Sequence, residues 1–163
     1  MEHLDIELTR HLTPKALEER LNETLPEGIC VTDIRLIGPS TPAVSASVEG
    51  YVYSVVVQRR HEELEGPAAD FLASTSHPVL RSSPKGTKTV DIRPFVRGLS
   101  LHPVDGQTEV IMELADDGGR TAKPGEVIGA MTGMPDDDIA ILRVVRRAVV
   151  LKENLALAGK RGS

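Results

Sequence analysis

Cysteine occurs once, at Cys30, tryptophan is absent, and phenylalanine and tyrosine occur twice each. A single thiol closes no internal disulfide and builds no cysteine-rich metal site, and it fits a reducing compartment such as the cytoplasm. So few aromatic rings leave the core to Val, Ile, Leu and Ala. They also disfavour recognition that stacks nucleic-acid bases on aromatic side chains. No run of about 18 apolar residues is present, so nothing in the sequence is built to span a membrane. The first residues alternate charge with apolar character and lack the apolar stretch of a signal peptide. The net charge of -5 gives no overall attraction to nucleic acid or to an anionic membrane, so only a local patch could supply one.

The chemistry-bearing motifs are equally sparse. Neither common glycine-rich phosphate loop occurs, and no serine sits in a G-x-S-x-G elbow. The histidines His3, His11, His61, His77 and His102 never pair at the short spacings that put two metal ligands on one face. Asp136-Asp137-Asp138 lacks the glycine and distal glutamate of a calcium loop and reads as a solvated loop. Cys30, in an apolar strand context, reads as a buried, inert thiol. No cofactor and no metal are expected.

The 163 residues, 40% of them apolar, suffice for about one domain with a core. Leu4, Ile6 and Leu8 alternate with Asp5 and Glu7, which predicts a half-buried strand. Thr13-Pro14 is a helix start, with Leu17, Leu21 and Leu25 on one face. Residues 29–37 read as a second strand, making residues 1–37 a β-α-β half unit. Residues 38–47, rich in Pro and Ser, read as a linker. A strand is expected over 50–58, then a helix over 60–74 interrupted at Gly66-Pro67. Strands are expected over 77–83 and 88–101, parted by Ser83-Pro84-Lys85-Gly86, and over 107–115. A helix begins at Lys123-Pro124 and ends at Gly133, and residues 139–151 read as the last strand. The fold class is therefore α+β. Residues 48–151 form a ferredoxin-like split β-α-β sandwich, an antiparallel sheet with helices on one face. Residues 152–163 read as a flexible tail.

One charge pattern stands out in an acidic chain. Between His77 and Ser100 the bases are Arg81, Lys85, Lys88, Arg93 and Arg97, against the single acid Asp91. Arg143, Arg146 and Arg147 follow in the last strand. As a strand, 88–101 places Asp91, Arg93, Phe95 and Arg97 on one face and Ile92, Pro94 and Val96 on the other. The ordinary reading is a solvated face with weak surface pairs. The functional reading is a nucleic-acid or partner-binding face made of Arg81, Lys85, Lys88, Asp91, Arg93, Arg97, Arg143 and Arg146.

Leu4-Asp5-Ile6-Glu7-Leu8, the run Leu21-Asn22 through Leu25-Pro26-Glu27-Gly28-Ile29, and Lys88 with Val90-Asp91-Ile92-Arg93-Pro94 occur in an order that resembles the bacterial radical-SAM-linked protein family. The resemblance covers roughly residues 3 to 151. It implies a protein that stands alone or follows a radical SAM domain, in association with RNA modification. A radical SAM catalyst needs three cluster-holding thiolates, so a chain with one cysteine is implied to be the linked partner. Such proteins begin with a further basic and aromatic-rich stretch, whereas this chain starts at Met1-Glu2-His3, which implies a truncation or a shortened homologue. Strand edges in the half unit would then lie unpaired and invite a partner or a second copy in a homodimer.

Three functions follow. The first is a non-catalytic accessory domain that binds RNA or presents a substrate to a radical SAM protein. The second is a protein-interaction module using exposed strand edges. The third, ranked last, is a small enzyme with loop-borne acid and base residues such as His77, Asp91 and His102.

Overall fold

The computed structural model describes residues 2–84 and 86–152. Val48–Val150 form one compact unit and His3–Ser47 another.

In the larger unit the strands are β1 (Val48–Val57), β2 (Pro78–Ser83), β3 (Gly86–Asp91), β4 (Val96–Val104), β5 (Gln107–Ala115) and β6 (Val144–Leu151). The helices of the chain are α1 (Pro14–Thr24), α2 (Val44–Ser47), α3 (His61–Ala73), α4 (Pro124–Thr132) and α5 (Asp136–Ala140). Strands β4-β5-β1-β6 make a four-stranded sheet in that order, with β5 antiparallel to both β1 and β4. This is the split β-α-β order expected of a ferredoxin-like sandwich. Strands β2 and β3 form a separate two-stranded hairpin, inserted between α3 and β4.

Burial explains these elements. In β5, Thr108, Val110, Met112 and Leu114 are buried and alternate with half-exposed neighbours, the period-2 pattern of a one-sided core. Val55 and Val57 of β1 face the same core, as do Leu64, Ala68 and Phe71 of α3 and Val127, Ile128 and Met131 of α4. Helices α3 and α4 therefore cover one face of the sheet. Gly133 ends α4 at φ 65°, a left-handed conformation that costs glycine no Cβ clash.

Several boundaries differ from expectation. Helix α3 runs unbroken through Gly66-Pro67, because Leu64 and Phe71 bury on either side of the proline. That burial offsets the main-chain donor that Pro67 lacks. Residues 88–101 are not one strand. A 3-10 turn over Arg93–Phe95 separates β3 from β4, so the shared face of Asp91, Arg93, Phe95 and Arg97 does not exist. The aspartate run opens α5 instead of a loop, and β6 begins only at Val144.

The smaller unit departs further. Helix α1 forms as expected, its Ala16 N–H donating to the Thr13 hydroxyl at 3.3 Å. Residues 4–8 and 29–37 form no strand, since neither finds a ladder partner, and Cys30 is exposed rather than buried. The Asn22 side-chain amide does what a neighbouring strand would do at one residue. It accepts from Val31 N–H at 2.7 Å and donates to the Val31 carbonyl at 3.0 Å. Residues 153–163, most of the expected tail, lie outside the described residues. No helix among the described residues is long and apolar enough to cross a membrane.

Candidate functional site

The Asp91-Ile92-Arg93-Pro94 stretch sits where the hairpin returns to the sheet, and its polar side chains turn inward. The Asp91 carboxylate accepts from the main-chain N–H of His77 at 2.7 Å and of Arg93 at 3.1 Å. Ile92 is fully buried, and its N–H donates to the His77 carbonyl at 3.0 Å. The entry and exit of the hairpin are thereby tied together. The Arg93 guanidinium donates to Leu72 O at the end of α3 (2.7 Å) and to Val96 O at the start of β4 (2.8 Å). It lies 5.8 Å from the Phe71 ring centroid. The His77 ring packs on the same phenylalanine, 5.5 Å away at 56°.

These contacts wall a shallow cleft between α3 and α4, about 380 Å³ in volume, lined by Pro67, Asp70, Phe71, Ser74, His77, Ala130 and Met131. Pro67, Phe71, Ala130 and Met131 supply apolar surface, and Asp70, Ser74 and His77 supply polar groups. Sequence reasoning missed Asp70, Phe71 and Ser74, because they sit on a helix end whose role shows only when α4 packs beside it.

The expected basic residues do not converge. Arg81 forms a two-pronged pair with Glu126 of α4, Nε to Oε1 at 2.7 Å and a second nitrogen to Oε2 at 2.6 Å. It also donates to Thr121 O at 2.7 Å. The two side chains are only 20% and 17% exposed. Arg97 pairs with Glu113 at 3.6 Å on the sheet face away from the helices. On that face too, Arg147 reaches Glu109 at 2.5 Å, and Glu109 also accepts from the Ser54 hydroxyl. Arg146 lies 4.9 Å from the Tyr51 ring centroid and 3.0 Å from the Glu2 carboxylate. Lys88, opposite Arg81 in the hairpin, and Arg143 are exposed with no ion pair among the described residues. Lys85 lies outside the described residues. His77 and Asp91 are brought together, whereas His102 stands on the other face of the sheet, opposite Glu109 and 3.1 Å from the Ser100 hydroxyl. Among the described residues no group of three or more His, Cys, Asp or Glu could hold a metal ion.

Three carboxyls titrate below their ordinary range. The His77 N–H and then the Ser76 side chain lower Asp91. The Ser54 hydroxyl and then Arg147 lower Glu109. Burial alone would raise Glu126, but hydrogen bonds from Arg81 and the Lys123 N–H outweigh it. A lowered folded pKa means fewer protons bound when folded than when unfolded. The stability these groups supply is therefore complete above about pH 5 and drains away as the pH falls through their depressed values. Urea midpoints followed down from neutral pH should show this loss, and Glu126→Gln should give a flatter acid limb. An unchanged limb would remove Glu126 from the account. A double-mutant cycle over Arg81 and Glu126 should return a coupling of about 1–2 kcal/mol, as a well-shielded two-pronged pair warrants.

The most recognisable stretch of the sequence thus contacts two residues that line the cleft, His77 and Phe71. Residues 1–124 match the model of a family described as uncharacterised proteins conserved in bacteria, DUF2344. The chain belongs to that family. The DUF2344 match takes in β1 to β5 and the hairpin and ends at Pro124, the first residue of α4. The Asp91 and Arg93 contacts and the α3 wall of the cleft therefore lie inside the match, while Ala130 and Met131 lie beyond it. Comparisons with curated proteins and with solved structures find no match.

Proposed function

We propose that this chain is a non-catalytic accessory module of a radical SAM protein, and that it receives a segment of that protein in the α3–α4 cleft. The radical SAM partner comes from the resemblance carried by Leu4–Leu8, Leu21–Ile29 and Val90–Pro94. The observation that carries the binding mode is the use made of Asp91 and Arg93. Both are spent on His77 and on the end of α3, the elements that shape the cleft. A guanidinium already donating to two carbonyls is a poor phosphate grip, and Arg81, Arg97 and Arg146 are likewise engaged within the chain. A protein surface fits this arrangement better than a polyanion does.

The test is co-expression with a tagged radical SAM protein of the same genome, followed by affinity measurement. Asp70→Arg combined with His77→Ala should weaken the complex about tenfold, the scale of one lost polar anchor at 1.4 kcal/mol. Lys88→Glu with Arg143→Glu should leave it unchanged. Absence of a complex, or a complex indifferent to the cleft pair, defeats the reading.

RNA keeps one specific support, the exposed Lys88 and Arg143. Anisotropy with bulk tRNA at two salt concentrations decides it, since each phosphate contact adds about one unit to the log–log salt slope. We expect no steep slope. A steep one, abolished by the Lys88 and Arg143 reversals, would replace the protein-binding reading with RNA binding.

A further inference from the structure

Among the described residues eleven large apolar side chains are exposed, and six of them fall in the smaller unit: Leu4 (81%), Ile6, Leu8, Ile29, Leu36 and Ile37. No buried apolar residue comes from that unit. Its helix α1 buries nothing either, although Leu17 and Leu21 share a face. The main-chain N–H and carbonyl groups of residues 4–8 and 32–37 have no partner among the described residues. Two stretches with strand periodicity, a free ladder edge and an unburied apolar stripe therefore flank one amphipathic helix. Unpaired edges of this kind recruit another strand.

We propose that the docking partner of this surface is a second copy of the same chain, joined about a two-fold axis through antiparallel pairing of residues 5–9 of one copy with residues 33–37 of the other. Neither stretch is a strand in the single chain, but once both are paired across the axis each copy supplies a β-α-β half of a split β-α-β sandwich, and two such halves make one four-stranded sheet with two helices. The larger unit reaches the same plan within a single chain.

The residues favour one register. Setting Glu7 opposite Arg35 places Ile6 against Leu36 and Leu8 against Ile34 on one face, while the Glu7–Arg35 charge pair meets on the other, beside Asp5 opposite Ile37. Asp33 then falls opposite Thr9, and no like charges are opposed. Both Glu7 and Arg35 are exposed and available for this pairing. Arg35 holds only Asp33, a local pair at 2.8 Å with both side chains more than half exposed. Asp5 stays in place, its carboxylate accepting from Val44 N–H at 2.7 Å. Because a two-fold axis makes the contact self-complementary, each pair occurs twice. This inference does not rest on the accessory-module reading.

The experiment is sedimentation equilibrium of the full chain from low to several hundred micromolar. A monomer–dimer equilibrium is expected. Glu7→Lys should raise the dissociation constant about tenfold, since a cross-strand charge pair lost twice is a change of that order. Adding Arg35→Glu to Glu7→Lys should restore it. Ile6→Asp with Leu36→Asp should abolish the dimer, while an unchanged far-ultraviolet circular dichroism spectrum shows that the chain still folds. Amide exchange over residues 5–9 and 33–37 should slow as concentration rises. A strict monomer at the highest concentration overturns the proposal. So does a dimer that ignores the charge reversal, or one whose protected amides lie elsewhere.

Discussion

Arg93→Ala is expected to lower the unfolding free energy by about 3 kcal/mol, because it removes two charge-assisted hydrogen bonds and strands two carbonyls. Those carbonyls belong to Leu72, at the end of α3, and to Val96, at the start of β4. The guanidinium also lies 5.8 Å from the Phe71 ring centroid. In a unit of about a hundred residues this loss corresponds to a melting point lower by roughly 12–20 °C. Urea unfolding should show a lower midpoint at an unchanged slope, the mark of altered stability rather than altered compactness. Lysine at this position should recover little, since a single ammonium cannot span two diverging carbonyls as the planar fork does. A loss below about 1 kcal/mol would mean that water satisfies both carbonyls and that the clamp contributes only geometry.

Gly50→Ala should cost about 2–3 kcal/mol, an overpacking penalty with no flexible neighbour to absorb it. Gly50 lies in β1 opposite Ala115 of β5, and an added Cβ would press into the main-chain carbonyl of Leu114. That carbonyl belongs to the sheet itself, so the strands must part or the register must slip. A slip by one residue would send Tyr53 and Val55 to the wrong face. Gly98→Ala is the control. Gly98 stands at the irregularity in the β4–β5 pairing, and an added Cβ there meets nothing within 4 Å. Its effect should stay within about 0.5 kcal/mol, as for surface substitutions generally. Equal effects at the two positions would show that the close approach at Leu114 relaxes freely.

Where a pattern reported burial within its own segment, the sequence was readable. Val110, Met112 and Leu114 declared β5, and Val127, Ile128 and Met131 with Gly133 declared α4. The alternation of Leu4, Ile6 and Leu8 was as clear, yet it describes what the segment could pair with and carries no information on whether a partner is present. The run 88–101 misled because Pro94 suits the start of a 3-10 turn as well as a strand edge. The basic window left the pairing of its members unread for a different reason. Counting signs between His77 and Ser100 could not anticipate that Glu126, 45 positions from Arg81, would close on it, or that Glu113 would meet Arg97. The cleft was beyond reach for the same reason, since its two walls are far apart in the chain.

The strand order has a consequence for how the chain emerges during synthesis. Strand β1 lies between β5 and β6, yet β5 begins ~50 residues after β1 ends, and β6 follows later still. At about 5–20 residues per second β1 waits several seconds for its first neighbour, and longer for its second. The β2–β3 hairpin, whose partners are adjacent in sequence, can close in microseconds during that interval. The last strand to leave the ribosome completes the sheet, so a chain arrested before Val144 would carry β1 with one edge bare and exposed to aggregation.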